Sequence, residues 1–421
     1  GTGSAAQFRD ARGLRGFVGG FWLVDDVCHT VLKVSGNTAT TLAGVAGTYG
    51  DSDGTNATAQ FAQPYAAIGL NGNVYAVDLN NANLRAIGAT NTTTLAGRAP
   101  SSSLTFGSAT AARYSTAMTM VADAGTLYAA TTTETGTSHI FSVDLATGTS
   151  TAIFQYSGNN LNATGITKIG ALLYVGLGNG TIHTLTTSGT NDTLYAGTPF
   201  MFGPSPNGTA RLSAQLFASS LATDGTNLYY FDNAKLVREI DAATGTVNTV
   251  AGTAGSTTVV DGTAGAARFA FAGPLAFSNG TLYTVDGPVT GGMTVIRQIT
   301  VPGGAVATLA GVAGMTGAAD GVGATARFAA MLGIASDGER VFVTDPGGGY
   351  GYGDANGPTI RELILTSGAV STMVGARGQW TTHDGVGAAA LMNAPGSIVY
   401  SAMDKSLVYF DGGESVFQRI K

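Results

Sequence analysis

Apolar and polar residues alternate along this chain in short runs, as in Leu282-Tyr283-Thr284-Val285, Val295-Ile296-Arg297-Gln298-Ile299 and Val306-Ala307-Thr308-Leu309. A period of two puts alternate side chains on one face, the pattern of a half-buried β-strand. The runs are rich in Val, Ile, Tyr, Phe and Thr, which suit a pleated surface, and Gly, Asn and Asp separate them at turn positions. No stretch sustains the spacing of an amphipathic helix. The pattern predicts an all-β chain.

The runs recur in a fixed order. Asp53 to Gly97 and Asp261 to Gly311 carry the same signals: an Asp-Gly loop, an aromatic eight residues on, a short apolar run, a Gly-containing turn, a strand of the form Leu-Tyr-x-Val-Asp, a strand of the form Ile-Arg-x-Ile, and a strand ending Thr-Leu-Ala-Gly. The aromatic follows Asp53 at Phe61, Asp261 at Phe269 and Asp320 at Phe328, with Met392 in its place after Asp384. The Leu-Tyr-x-Val-Asp strand occurs eight times, at Phe21–Asp25, Val74–Asp78, Leu127–Thr131, Leu173–Leu177, Leu228–Asp232, Leu282–Asp286, Val341–Asp345 and Leu407–Asp411. Each unit predicts a four-stranded antiparallel meander, and sheets repeated about an axis so that each buries its faces on its neighbours make a β-propeller.

These motifs resemble the NHL repeat, and the resemblance covers nearly the whole chain. It implies a propeller of a family best known for six-bladed rings. The eight units predict eight blades in a single propeller over residues 1–421, divided at about 1–47, 48–97, 98–157, 158–197, 198–252, 253–311, 312–375 and 376–421. The strand ending Thr-Leu-Ala-Gly, intact or degenerate, occurs seven times, and the eighth unit stops after its third strand, at Phe417-Gln418-Arg419-Ile420. An incomplete last blade is therefore expected, with Val416, Phe417 and Ile420 on an open edge that invites another strand. Gly1 aligns with Gly54 inside an Asp-Gly loop, so upstream residues, a signal peptide among them, are expected to precede this segment.

Composition narrows the function. At 421 residues, length alone suggests about three domains, which the repeat overrides. Hydrophobic residues make up 44% and charged residues 11% of the chain, so a core is affordable and disorder is excluded. A net charge of −6 without basic runs argues against a nucleic-acid partner. No apolar run approaches the ~20 residues of a membrane-spanning helix. The single cysteine, Cys28, excludes an internal disulfide and a zinc site built on several cysteines.

Candidate chemistry is sparse. Within the resembled family, amidating lyases hold zinc with histidines at the central channel. Here His29, His139 and His183 fall near third strands of separate blades, and His383 lies in an Asp-Gly loop. No His-x-Glu, His-Glu-x-x-His or Gly-x-Ser-x-Gly motif is present, and the five Glu are scattered. The reading is a non-enzyme without cofactor. Asp51 and Asp53 are weak calcium candidates, because hard cations take carboxylates on tight turns, although Asp before Gly is also an ordinary turn residue. Arg85, Arg238, Arg297 and Arg361 share one third-strand position, which argues for a structural role such as pairing with a neighbouring blade's Asp.

Two insertions depart from the repeat. Thr198–Pro206 carries Phe200, Met201 and Phe202, and Pro346–Asp354 carries Tyr350 and Tyr352. Apolar side chains in Gly/Pro-rich loops serve either a partner or a lid over the channel mouth. Asn-x-Ser/Thr occurs at Asn56, Asn91, Asn162, Asn179, Asn191, Asn207 and Asn279 and, with the scarcity of Lys, points to an extracellular or cell-surface setting. The function expected is a structural or interaction propeller whose partners are copies of itself or another surface protein, self-assembling through the open edge. The alternatives are a ligand- or carbohydrate-binding propeller using the loop-rich face and, further off, a lyase or hydrolase like the family's enzymes.

Overall fold

The computed structural model describes all residues except 1, 3–10, 18–19, 26, 36–37, 63, 71–72, 79–82, 98–105, 108–117, 133–136, 159, 289–291, 348–357, 378–384, 393, 412–415 and 421. Eight antiparallel sheets follow one another along the chain, one per repeat unit. The Leu-Tyr-x-Val-Asp motif is the second strand of each, from Gly20–Asp25 in the first sheet to Ser406–Asp411 in the eighth. Every second strand pairs with the strands before and after it in sequence, as a meander requires.

The Asp-Gly loop adds a strand that its sequence does not announce. Gly54–Thr55, Thr209–Ala210, Gly262–Thr263 and Gly321–Val322 each pair with the fourth strand of their own sheet, making the second, fifth, sixth and seventh sheets five-stranded. In the fifth to seventh sheets a 3-10 turn follows at once, and the same turn recurs in the eighth unit at Gly387–Ala389. The aromatic eight residues after the Asp then drops inward: Phe61, Phe269, Phe328 and Met392 are fully buried.

The chain divides into two compact units, Gly1–Pro100 with two sheets and Ser101–Lys421 with six. In the second unit the first strands of the six sheets are Met118–Asp123, Ala163–Ile169, Ala218–Thr223, Leu275–Ser278, Gly333–Ser336 and Pro395–Ser401. Each packs on the next, and Met118–Asp123 packs on Pro395–Ser401, so the ring closes on six blades. Apolar clusters fill the spaces between adjacent sheets. Tyr229, Phe231 and Val237 meet Phe269, Leu282 and Ile299 between the fifth and sixth sheets. The closing seam is of the same kind, with Met120, Leu127 and Phe141 of the third sheet against Val408 and Phe410 of the eighth. Eight repeat units have thus produced eight sheets, and the ring in residues 101–421 is six of them, where the sequence reading set eight round one axis. Ring size depends on how faces of adjacent sheets fit, a property that no single repeat carries.

Candidate functional site

Within each intact sheet, one arginine ties the opening loop to the meander. Arg297 is fully buried; its Nη1 donates to Asp286 Oδ2 (2.9 Å) and the Arg268 carbonyl (2.7 Å), and its Nη2 to Asp261 Oδ1 (2.9 Å) and the Val260 carbonyl (2.7 Å). Its guanidinium lies 4.6 Å from the centre of the Phe269 ring. Arg85 and Arg361 repeat the arrangement with Asp53 and Asp78, and with Asp320 and Asp345, over Phe61 and Phe328. The fourth strand joins in through Thr94, Thr308 and Thr372, which donate to Asp53, Asp261 and Asp320. Arg85, Arg297 and Arg361 pair with acids of their own sheet and not of a neighbouring blade, because the opening loop folds back onto the fourth strand beside it. In the fifth sheet Asn207 takes the place of the acid, accepting from Thr249 N and Oγ1, while Arg238 donates to Thr249 and the Ser205 carbonyl. Burial pushes the Asp286 and Asp345 carboxyls up from their ordinary range, against the pull of the adjacent arginines.

The six first strands of the ring surround a channel of about 510 Å³. Among the described residues its lining carries no charged side chain: hydroxyls of Thr167, Ser219 and Ser397 stand among apolar groups such as Met120, Leu221 and Phe277. Several hydroxyls are committed between blades. Ser220 Oγ accepts from Leu275 N (2.9 Å), Thr119 Oγ1 from Ile166 N (3.2 Å), and Thr344 Oγ1 donates to the Gly396 carbonyl (2.6 Å).

The eighth sheet differs from the other seven. Among the described residues it has three strands, the last of which, Val416–Ile420, pairs with Ser406–Asp411. A cavity of about 670 Å³ borders this strand. Gln418, Arg419 and Ile420 line it together with Tyr409, with Gly385, Val386, Gly387, Ala390 and Leu391, and with Met373 and Val374 of the seventh sheet. Gly385-Val386 is the counterpart of Gly262–Thr263 and Gly321–Val322, the two-residue strands that pair with a fourth strand elsewhere. Val386 is 90% exposed, against 58% for Val322, whose sheet is complete. Gln418 stands where other sheets have the buried arginine, and accepts from Tyr409 Oη (2.7 Å). Phe417 and Ile420 turn inward, packing respectively on Phe410 and Phe141 and on the cluster of Leu407, Tyr409 and Ile398, so the backbone of this strand and not those side chains is what the edge offers. The flank at Gly385-Val386 escaped the sequence reading; its signal was the repetition of Asp-Gly followed by Thr or Val in units whose fourth strand is intact.

The remaining candidates are dispersed. Phe200, Met201 and Phe202 are about half exposed on the linker after the fourth sheet. Phe200 sits in the left-handed region (φ 62°), held by its N–H bond to the Asn179 carbonyl (2.7 Å), and Phe202 rests edge-on against Phe217. Tyr350, Tyr352, His383 and Asp384 lie outside the described residues. Asp53 already has Arg85 and Thr94 as partners, and Asp51 is exposed. His183 Nδ1 lies 3.0 Å from Asp192 Oδ1, which also accepts from Tyr156 Oη (2.8 Å); His139 is on the third strand of its sheet and His29 is in a turn. Among the described residues no three metal-binding side chains converge. Of the sequons, Asn179 is buried, its Oδ1 accepting from Thr181 N and Oγ1. Asn56 and Asn207 bind their own loops and Asn279 bonds the Gly338 carbonyl, Asn162 is half-buried, and Asn91 and Asn191 are exposed.

No protein-family model and no curated protein matches the chain. Among solved structures it resembles an auxiliary nutrient binding protein from Bacteroides thetaiotaomicron VPI-5482, with TM-score 0.54, 14% identity, and 94% of each chain covered. It also resembles an auxiliary nutrient binding protein from Bacteroides ovatus ATCC 8483, with TM-score 0.52 and 13% identity over 100% of this chain and 99% of that one. The fold is a β-propeller. A third likeness, to a streptogramin B lyase structure, has TM-score 0.39 and 13% identity over 97% of this chain and 92% of that one. At these identities the likeness concerns the fold, and propellers carry many functions. No helix among the described residues is long and apolar enough to cross a membrane.

Proposed function

We propose that this chain is a non-enzymatic interaction propeller of the NHL type that contacts copies of itself or another surface protein, with the strand Val416–Ile420 at the edge of its eighth sheet as one contact. One observation carries the reading: Gln418, Arg419 and Ile420 of that strand share the lining of one cavity of about 670 Å³ with Gly385, Val386 and Gly387. An open edge supplies main-chain donors and acceptors, and strand addition uses them for affinity while alternate side-chain positions supply selectivity. An extracellular or cell-surface setting belongs to this reading, supported by the exposed sequons Asn91 and Asn191. The uncharged channel favours binding over catalysis, and the half-exposed Phe200, Met201 and Phe202 offer a second contact on the loop-rich face.

Amide hydrogen exchange tests the strand-addition reading. With excess of a synthetic peptide copying Ala305–Gly311, a fourth strand of this chain, amides in Val416–Ile420 and Gly385-Val386 are expected to slow while the other blades are unchanged. Edge amides that are already protected in the dilute chain, or that do not respond to the peptide, would overturn it.

A further inference from the structure

We propose that Asp224, Tyr229 and Glu239 form a proton-operated clasp in the fifth sheet, in which a hydrogen ion does for two facing acids what an arginine does in the seventh, so that the seam between the fifth and sixth sheets firms on acidification.

The fifth and seventh sheets carry the same acids in the same places. Their first and second strands are joined by four-residue turns, 224–227 and 337–340. In each turn the leading Asp folds one oxygen onto the backbone: Asp224 Oδ1 accepts from Thr226 N (2.8 Å) and Asn227 N (2.7 Å), and Asp337 Oδ1 from Glu339 N (3.0 Å) and Arg340 N (2.7 Å). A Glu on the third strand faces the aromatic of the second, Glu239 opposite Tyr229 and Glu362 opposite Phe342. What lies between the two acids differs. In the seventh sheet Arg340 reaches Asp337 Oδ2 (2.9 Å) and Glu362 Oε2 (3.4 Å). In the fifth, Asn227 stands in place of Arg340 and Tyr229 in place of Phe342. Tyr229 Oη lies 2.9 Å from Asp224 Oδ2 and 3.2 Å from Glu239 Oε1, and Asn227 Nδ2 donates to Glu239 Oε1 (3.0 Å).

Counting hydrogens gives the mechanism. A phenol has one to donate, so Tyr229 satisfies one carboxylate, and the other, if ionised, faces the lone pairs of its oxygen. A proton on Glu239 Oε1 completes the chain: Glu239 donates to Tyr229 Oη, and Tyr229 donates to Asp224 Oδ2. The ring is held in place, because Tyr229 is buried in the cluster shared by the fifth and sixth sheets and stacks on Phe277 of the sixth (ring centres 6.0 Å apart, planes 3° apart), which also lines the channel. The charges acting on Glu239 are Asp241, just past its own strand, and Asp224, both acids; Asn248 opposite it on the fourth strand and Phe277 from the sixth sheet bring no charge. Burial raises the Glu239 carboxyl from its ordinary range and the two acids raise it further, against the bonds from Tyr229 and Asn227. A raised folded value means that the stabilisation is present below the unfolded pKa and is lost as pH rises through the folded one.

Thermal melts of the full chain from about pH 4 to about pH 8 test the clasp through two variants. A glutamine offers at every pH the donor that Glu239 offers only when protonated, so Glu239→Gln is expected to melt about 1–2 °C above the unsubstituted protein near neutral pH, with the gap closing as pH falls into the ordinary carboxylate range. Glu362→Gln takes a counter-charge from Arg340 and is expected to melt lower near neutral pH, the opposite sign. Carbon-13 resonances of labelled glutamate give a second measurement: the chain has five Glu, and the signal lost in Glu239→Gln is expected to titrate above the ordinary glutamate range. A loss of stability in Glu239→Gln like that of Glu362→Gln, a gap that does not change with pH, or a Glu239 signal titrating at or below the ordinary range would overturn the clasp.

Discussion

Arg297 Nη2 lies 2.9 Å from Asp261 Oδ1, joining the third strand of a sheet to the loop that opens it 36 residues earlier. The same guanidinium reaches the buried Asp286 on the second strand, and Asp261 in turn accepts from Thr308 N and Oγ1 on the fourth. One cation and two carboxylates thus hold four segments of a blade in register, although the Arg297 Nε has no partner among the described residues.

Removing that cation is expected to be costly. Arg297→Ala leaves Asp286 buried without its counter-charge and should destabilise by about 3–5 kcal/mol. Arg297→Lys should recover only part, since an ammonium cannot span both carboxylates and two carbonyls as the planar guanidinium does. Arg340→Ala, at a 40% exposed pair with Asp337, should cost about 1 kcal/mol or less. Denaturant midpoints of the three variants check the order; an Arg297→Ala effect no larger than that of Arg340→Ala would contradict it.

The loop acid should reveal itself in the pH dependence. Burial raises the Asp261 carboxyl, but the bonds from Thr308 and Arg297 together outweigh it and hold its pKa below the ordinary 3.8. A depressed folded value means that its contribution is present above the unfolded pKa and lost as pH falls through the folded one. Asp261→Asn is therefore expected to lower stability at pH 7 by about 1 kcal/mol, discounted for a carboxylate that is nearly half exposed, and to converge on the unsubstituted protein below the ordinary carboxylate range. Thermal melts of both proteins from neutral to acid pH measure the gap; one that stays constant throughout would refute the assignment.

The linker after the fourth sheet should separate surface from core. Phe200→Ser with Met201→Ser removes apolar area that is already half in water, so the melting temperature is expected to move by no more than about 0.5 kcal/mol equivalent, while retention on a hydrophobic-interaction column falls. Phe202→Ser loses the edge contact with Phe217 and should cost about 1 kcal/mol. Equal destabilisation by both changes would mean that all three side chains are core.

The local order of this protein was written in its sequence. A period of two in side-chain direction is a property of adjacent residues, so the strands, the turns at Asn and Gly, and the second-strand motif that begins at Phe21 and ends at Asp411 were legible from the chain alone. The partners of Arg297 and the exposure of Val386 were not, because they depend on a loop folding back across a sheet to a residue tens of positions away. Ring size was decided later still. Met120 and Val408, 288 residues apart, meet in the seam that closes the ring at six blades, and that meeting is the accumulated result of the angles at which each sheet packs on the next, which the repeat states in no single copy.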